Sequence, residues 1–257
     1  MEPSPTARVT FLGHSTVLLE LDGARLLTDP ILGGRVGPLR RHGSAVPMEL
    51  LEGIDAVLVS HLHWDHLHLP SIRLVPGDPL LVVPRGAGRA LTRRGFHRVE
   101  ELDPGGTVGL RSVTVSGTSA RHAVYAPMAP RADSLGFLVR GERTVYFAGD
   151  TDLFDEMEQL TPAHETLDLA LLPVWGWGPF LGRGHLDPLR AANALRLLRP
   201  RLAIPIHWGA LYPVGIPWRR PHALRDAPHH FLRLAAGIAP EVEIRVLEPG
   251  ESTNLDG

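Results

Sequence analysis

The chain has 257 residues, of which 26 are basic and 28 acidic, and its formal net charge of −2 gives no electrostatic reason to expect nucleic acid or an anionic membrane as a partner. The absence of cysteine excludes disulfides, thiolate metal ligands and a cysteine nucleophile, so any metal must be bound by imidazole and carboxylate groups. Every basic residue is an arginine, which excludes Schiff-base chemistry and a P-loop lysine.

The first half of the chain is predicted to consist mainly of short strands. Arg8–Leu12 and Val17–Leu21 are rich in apolar and β-branched residues, and an Asp22–Gly23 turn leads into a strand at Arg25–Thr28. Gly33–Pro47 is rich in Gly, Pro and Arg and is predicted to be a loop. Further strands are predicted at Asp55–Ser60, Leu80–Val83, Val108–Thr118 and Leu135–Ala148, with a helix near Gly86–Arg94.

The second half repeats this alternation of strands and helices. Leu167–Pro173 and Leu202–Ile206 are apolar strands, separated by a helix over Asp187–Leu198 with apolar residues at helical spacing. The remaining predicted elements are a helix over His222–Ala235, a last strand over Val242–Leu247 and a frayed end over Glu251–Gly257. No repeat or linker divides the chain, so residues 1–257 are predicted to form a single α/β or α+β domain in which two sheets pack face to face with helices outside.

The apolar runs predict a cytoplasmic protein. Met1–Ala7 is polar and contains proline, and Val9–Leu12 is too short for the core of a secretory signal. No stretch approaches the roughly 20 apolar residues that a membrane-spanning helix needs. We therefore expect neither secretion nor a membrane span.

Four residues of metal-ligating type follow the predicted buried strand that ends at Ser60. Histidines two apart on extended backbone point the same way, so His61 and His63 can share one ion. Asp65 and His66 are expected to turn back into the start of a helix, where they can face a second ion. Imidazole nitrogen and carboxylate oxygen are the usual ligands of Zn, Mn or Fe in sites without sulfur. The run therefore predicts a metal site at the end of this strand.

The run from His61 to His66 resembles the H-x-H-x-D-H motif of the metallo-β-lactamase superfamily. The other motifs of that superfamily occur in the expected order, at Thr28–Pro30, Ala120–His122, Phe147–Thr151 and Pro205–Gly209. The resemblance implies a four-layer αβ/βα sandwich, with two mixed sheets, helices on the outer faces and a two-metal site at the sheet edges.

The resemblance also implies a ligand set for two divalent metal ions, with Zn expected and Mn or Fe as alternatives. One ion is assigned to His61, His63 and His122, the other to Asp65, His66 and His207, with Asp150 bridging. Asp65 is counted among the catalytic residues as well. Asp29 would orient a ligand by hydrogen bonding, or would simply form a turn before Pro30.

Further segments resemble the branch that contains the ascorbate-phosphate lactonases and the N-acyl phosphatidylethanolamine-hydrolysing phospholipase D. These are Leu12–Thr16, Gly184–Pro188 and the His-Trp-Gly sequence that ends at Gly209. In that branch a histidine before the late helix lies at the active site, which implies that His185 is catalytic or binds substrate; an ordinary loop histidine is the alternative. His14 is expected either at the active site or buried in its hairpin. Trp175 and Trp177 are expected either to form a wall of the substrate site or to pin their own loop.

The predicted function is that of a metal-dependent hydrolase. A hydroxide bridging two metals would attack a small phosphodiester, lactone or related ester, and the cationic site would favour an anionic substrate. One alternative is a nuclease of the same fold. A nuclease would need a basic surface for RNA or DNA, and the sequence offers only the pairs Arg40–Arg41, Arg93–Arg94 and Arg219–Arg220. The other alternative is a regulatory protein that binds metal without turnover. The expected partner is thus a small molecule, with no nucleic acid.

Overall fold

The computed structural model describes residues 7–122, 132–162, 165–175, 184–214 and 225–255. Its strands form two seven-stranded sheets and a small three-stranded sheet. The strands are β1 (Arg8–Gly13), β2 (Thr16–Leu21), β3 (Ala24–Thr28), β4 (Arg35–Val36), β5 (Leu39–Arg41), β6 (Ala56–Leu58), β7 (Leu80–Pro84), β8 (Val99–Leu102), β9 (Thr107–Leu110), β10 (Val113–Ser119), β11 (Leu135–Arg140), β12 (Thr144–Phe147), β13 (Leu169–Pro173), β14 (Leu202–Ile206), β15 (Leu211–Pro213), β16 (Glu243–Ile244) and β17 (Ser252–Asn254). The helices are α1 (Leu69–Ile72), α2 (Gly88–Thr92), α3 (Pro188–Leu198) and α4 (Asp226–Ile238), with 3₁₀ helices at Met48–Leu51 and Asp155–Gln159.

Each large sheet is half antiparallel and half parallel. The first sheet has the strand order β17-β1-β2-β3-β6-β7-β8, in which the pairs from β3 to β8 are parallel. The second has the order β16-β14-β13-β12-β11-β10-β9, in which the pairs from β16 to β12 are parallel. Parallel strands bring their carboxyl ends to one edge of a sheet, so each sheet has such an edge available for a site.

The alternation of side chains along the strands creates the layers. Leu58 of β6 belongs to the large core between the two sheets, which also contains Phe147 of β12 in the second sheet. Its neighbour Val57 points to the opposite face of the first sheet. Val57 packs in a separate core with Ile72 of α1 and Leu91 of α2. On the second sheet, α3 and α4 bury apolar faces on the large core. The two mixed sheets with helices on their outer faces confirm the expected fold class.

Several predicted elements differ from the observed ones. The predicted loop at Gly33–Pro47 contains the hairpin of β4 and β5, because β15 supplies a distant antiparallel partner at Leu211–Pro213. The end predicted to be frayed contains β17, which pairs with β1 along Ser252–Asn254. The strand predicted over Val242–Leu247 is shorter than expected, because β16 covers only Glu243–Ile244. The predicted helix over His222–Ala235 is observed as α4 from Asp226, and its residues before 225 fall outside the described residues.

The segment after β6 also differs from the expectation. Asp65 and His66 do not begin a helix; they lie in a turn closed by the His66 and Leu67 N–H groups, which both donate to the carbonyl of His63. The helix starts only at Leu69. The turn brings the side chains of Asp65 and His66 back toward the strand end.

No helix in the described ranges is long and apolar enough to cross a bilayer.

Candidate metal centre

The residues expected to bind metal converge where the parallel strands of both sheets end. Asp29 directly follows β3, and His61 lies three residues after the end of β6. Asp150 lies three residues beyond β12, and His207 directly follows β14. Four strands that are far apart in sequence thus deliver polar side chains to one place.

Three imidazoles form the first cluster, the triple-histidine group of His61, His63 and His122. The Nδ1 atom of His63 lies 2.9 Å from Nε2 of His61 and 3.1 Å from Nε2 of His122. Nitrogen ligands about 2.0–2.1 Å from a tetrahedral ion lie about 3.3 Å apart, which is close to these separations. The group therefore has the spacing of three ligands to one ion.

The second cluster, the Asp65 group, contains Asp65, His66 and His207 together with His14. The Nε2 atoms of His66 and His207 are 3.3 Å apart, and the Asp65 Oδ2 atom lies 3.9 Å from Nε2 of His66. Nε2 of His14 lies 3.5 Å from the same Asp65 oxygen, and the His14 and His207 rings are 4.1 Å apart. One ligand atom from each of the four residues falls within 4.8 Å of the others, so the group can surround one cation.

Asp150 lies between the two clusters. Its Oδ2 atom is 4.0 Å from Nε2 of His61 and 3.3 Å from Nε2 of His66. Its Oδ1 atom is 3.3 Å from Nε2 of His207, is buried, and accepts no hydrogen bond of normal geometry from the described residues. A buried carboxylate oxygen in this state is suited to a cation.

The outer nitrogen of four of these histidines is held by an acceptor away from the centre. Such contacts fix the ring orientation and the tautomer, leaving the Nε2 lone pair for a metal. The pairs are His61 Nδ1 with Ser60 Oγ at 3.0 Å, His66 Nδ1 with Asp29 Oδ2 at 2.7 Å, His122 Nδ1 with the Gly184 carbonyl at 2.8 Å, and His207 Nδ1 with the Trp175 carbonyl.

Burial and mutual charge perturb the pKa values of the whole cluster. Burial lowers the pKa of His122 to about 4 and that of His14 to about 3, and it lowers the pKa of His61 as well. Burial alone would raise the pKa of Asp150, but the His207 and His66 imidazoles hold that pKa well below its ordinary value. Burial would lower the pKa of His66 and His207 too, but the Asp150 carboxylate raises both, and with Asp29 it raises that of His66 well above its ordinary value. Metals bind neutral imidazoles and ionised carboxylates, so divalent cations would replace the protons that these two rings share with Asp150.

Unusual backbone geometry accompanies the cluster. Asp29, His14 and His207 have positive φ values of 32°, 59° and 64°, which non-glycine residues adopt only where the surroundings impose them. The His207 N–H donates to the carbonyl of His14 at 2.7 Å, and the His14 N–H donates to the carbonyl of Trp208 at 2.9 Å. These bonds connect the first sheet to the second at the centre, so His14 is both buried in its hairpin and part of the cluster.

His185 lies on the open side of the cluster. Its Nε2 atom is 3.6 Å from Asp150 Oδ2, its ring is 4.6 Å from that of His122, and its side chain is 29% exposed. Helix α3 begins just beyond it, with Pro188 as its first residue and Asp187 Oδ1 accepting the Arg190 N–H at 2.8 Å. The side chain is thus close enough to contact a molecule at the centre.

The two predicted aromatic residues have different outcomes. Trp175 is half-buried, and its ring packs against that of Tyr212 at 5.2 Å while its carbonyl accepts from His207. The residue thus supports a ligand through its backbone. Trp177 lies outside the described residues.

Sequence reasoning did not assign a role to Ser60 or to Gly149. Ser60 donates to both Asp29 oxygens, from N at 2.7 Å and from Oγ at 2.6 Å. A Cβ atom at Gly149 would lie 2.5 Å from that of Ser60. The signal for Ser60 was its place between the buried strand and the first histidine, whereas the contact with Gly149 has no local signature.

Comparison with known proteins agrees with this geometry. The family described as "Beta-lactamase superfamily domain" matches residues 24–208. A UPF0173 metal-dependent hydrolase of Opitutus terrae is 35% identical over 96% of this chain and 100% of its own length. The N-acyl-phosphatidylethanolamine-hydrolyzing phospholipase D 1 of Caenorhabditis elegans is 31% identical over 80% of this chain and 64% of its own length.

Solved structures show the same fold. Igni18, described as a novel metallo hydrolase of Ignicoccus hospitalis, superposes with a TM-score of 0.73 at 26% identity, covering 97% of this chain and 98% of its own. A possible metal-dependent hydrolase of Veillonella parvula gives a TM-score of 0.75 at 18% identity, covering 96% and 99%. The family match, the named relatives and the paired metal-ligating clusters together establish that this chain belongs to the β-lactamase superfamily of metal-dependent hydrolases.

Proposed function

We propose that this protein is a dinuclear metal hydrolase that cleaves a small phosphodiester or a related ester, lactones included. The observation that carries the proposal is the position of Asp150: its Oδ2 atom lies between His61 of the triple-histidine group and His66 of the Asp65 group, and its Oδ1 atom faces His207. A carboxylate between two donor sets is the arrangement that allows one residue to bridge two ions.

Each ion has its own ligands in this proposal. His61, His63 and His122 hold one, Asp65, His66 and His207 hold the other, and Asp150 contacts both. Two bound divalent cations, with Zn expected first, would lower the pKa of a water between them and polarise the ester group of a substrate. Asp29 orients His66 through the 2.7 Å contact with its Nδ1, and His14 contacts Asp65 Oδ2 through Nε2 at 3.5 Å.

His185 acts on the substrate rather than on a metal. The two assigned ligand sets are complete without it, and its side chain, which is 29% exposed, has Nε2 3.6 Å from Asp150 Oδ2. An imidazole there can donate a proton to the leaving oxygen or hold a phosphoryl or carbonyl oxygen as negative charge develops on it. Asp187 and Pro188, which start α3, keep the backbone beside His185 in place.

A groove beside His122 supports a small substrate. It has a volume of about 690 Å³ and is lined by Arg121, Phe154 and three carboxylates, those of Asp152, Asp155 and Glu156. Small-molecule sites have volumes of about 300–1,000 Å³, so the groove has room for an ester of modest size. Three carboxylates against one arginine make the groove unfavourable for a polyanion such as RNA, which disfavours the nuclease alternative, whereas a substrate with a single negative charge would place that charge at the cations.

The test combines metal analysis with an activity panel. Protein reconstituted with Zn, Mn or Fe is expected to contain two ions per chain and to hydrolyse an activated phosphodiester, an aryl ester or a lactone. Asp150→Asn should abolish turnover, whereas Glu158→Gln, at a carboxylate outside the groove whose side chain is 58% exposed, should retain most of it. Only trace metal after reconstitution would contradict the proposal. Metal-loaded protein that cleaves only RNA would favour the nuclease, and protein inert toward the whole panel would favour a regulatory role.

A further inference from the structure

Ser60 occupies a position between ligands of the two proposed metal sites. We infer that Ser60 transmits the orienting effect of Asp29 to His61 through a relay of hydrogen bonds, so that a single buried carboxylate orients one ligand of each metal group. The inference rests on the two-metal site proposed above and adds a positioning residue, Ser60, that connects both halves of it.

With Asp29 ionised, the hydrogen atoms at Ser60 have one consistent arrangement. Asp29 Oδ1 accepts the Ser60 N–H at 2.7 Å, and Asp29 Oδ2 lies 2.6 Å from Ser60 Oγ. A carboxylate only accepts, so the single hydroxyl hydrogen of Ser60 points to Asp29. The same oxygen is 3.0 Å from His61 Nδ1 and must therefore accept from it. His61 then carries its hydrogen on Nδ1 and presents a bare Nε2 to the triple-histidine group.

The same carboxylate acts directly on the other metal group. Asp29 Oδ2 also accepts from His66 Nδ1 at 2.7 Å, which leaves the His66 Nε2 lone pair for the Asp65 group. The side chains of Asp29, Ser60, His61 and His66 are fully buried, so bulk water has no access to replace a lost contact. Asp29 thus reaches His66 in one hydrogen bond and His61 in two.

Packing holds Ser60 in the relay position. The Leu135 N–H donates to the Ser60 carbonyl at 2.9 Å, which ties the residue to β11 of the second sheet. Gly149 packs so closely that any side chain there would meet the Ser60 Cβ atom. Ser60 therefore contacts both sheets, and its hydroxyl has little freedom to turn away from Asp29 and His61.

The proposal predicts an asymmetric effect of two substitutions on metal binding. In a stepwise titration of metal-free protein with Co²⁺, followed by its visible absorption, Ser60→Ala should weaken only the step that belongs to the triple-histidine group. That step is identified as the one lost in His63→Ala. Asp29→Asn should weaken both steps, because an amide offers one acceptor oxygen in place of two. Loss of such an orienting contact is expected to reduce metal affinity about 10- to 100-fold.

Ser71→Ala is the matched control. Ser71 is also fully buried, and its hydroxyl contacts His68 Nδ1 at 2.7 Å, a histidine that belongs to neither metal group. It should lower the melting temperature without changing either titration step. A Ser60→Ala titration identical to wild type, or one in which both steps weaken equally, would overturn the relay. Wild-type protein that binds fewer than two ions would instead overturn the proposed function.

Discussion

At the scale of single residues, the centre depends on which histidine nitrogen faces inward. His61, His66, His122 and His207 each place Nδ1 against an oxygen acceptor and direct Nε2 to the cluster. Two of those acceptors are the backbone carbonyls of Gly184 and Trp175. Substitution cannot remove a carbonyl, and no sequence motif predicts which carbonyl will accept. Residue-scale tests therefore use side chains that contact the centre but are not assigned as ligands of either ion.

The first such side chain is His185. His185→Ala should keep the fold and both ions, because the side chain is partly exposed and is not required by either ligand set. Turnover should fall about 100-fold or more if the imidazole acts as a general acid or stabilises the developing charge. Steady-state kinetics and metal content measure both effects. His229→Ala, at an exposed position of α4, is the control. Unchanged kcat and KM in a fully metallated variant would remove His185 from the site.

The second is His14, which the structure places against Asp65. His14→Asn should tolerate the positive φ of 59°, since asparagine enters this region readily, but its amide is too short to take the place of the ring. Asp65 would lose a neighbour that holds it, so the affinity of the Asp65 group for metal should fall about 10-fold or more. A competition assay with a chromophoric chelator measures this. Wild-type affinity in a variant with a lowered melting temperature would limit His14 to a structural role.

At the scale of elements, close packing between strand ends brings the two halves of the centre together. Gly149 follows β12, and its backbone lies against Ser60, which follows β6 of the other sheet. The His14–Trp208 bridge makes a second connection between the sheets. Both connections occur next to proposed ligands, and each metal group takes ligands from both sheets, so the distance between the sheets sets the ligand distances within each group.

Gly149→Ala tests this coupling. The residue has φ of 58°, and its new Cβ atom would lie 2.5 Å from that of Ser60. Gly23→Ala is the control, because Gly23 has φ of 76° but open space around it. The control should lose about 1 kcal/mol of unfolding free energy from backbone strain. Gly149→Ala should lose about 1–3 kcal/mol more and bind metal less tightly. Chemical denaturation measures both losses. If Gly149→Ala and Gly23→Ala lost the same unfolding free energy, the two sheets would have moved apart to accept the new Cβ atom without further destabilisation.

At the scale of the whole molecule, metal binding and folding should be linked. The proposed ligands come from segments between His61 and His207, and they meet only in the folded chain. Ions that bind only this state stabilise it by mass action. Both large sheets end at the centre, so the stabilisation should affect the entire cooperative unit.

Removal of the metal should therefore lower the melting temperature. At a free metal concentration about 100 times the dissociation constant, the stabilisation is about 2.7 kcal/mol, or about 5–10 °C for a chain of this size. Thermal scans with and without a chelator measure the shift. An Asp150→Ala variant that holds no metal should not respond to the chelator. Superimposed scans of wild-type protein known to contain metal would contradict the linkage.

Features that depend on neighbouring residues could be predicted from residue type and spacing. Apolar runs located most strands because buried parallel strands are continuously apolar, and Asp22–Gly23 forms the expected turn because both residues adopt positive φ. The motifs around His61 and His207 predicted a metal site because residues of metal-ligating type are concentrated within a few positions. The family, the fold class and the hydrolase activity followed from those motifs and are confirmed.

Contacts between groups that are distant in sequence became visible only in the folded chain. Strand β17 and the β4–β5 hairpin were missed because their partners, β1 and β15, lie far away in sequence and the segments themselves are short and polar. The contact of Ser60 with Asp29, that of His14 with Asp65 and the carbonyl acceptors at Gly184 and Trp175 were missed because the partners in each contact are distant in sequence. Hydrogen bonds of this kind require separations of about 3 Å between atoms of two sheets. Residue type and spacing along the sequence do not predict such separations.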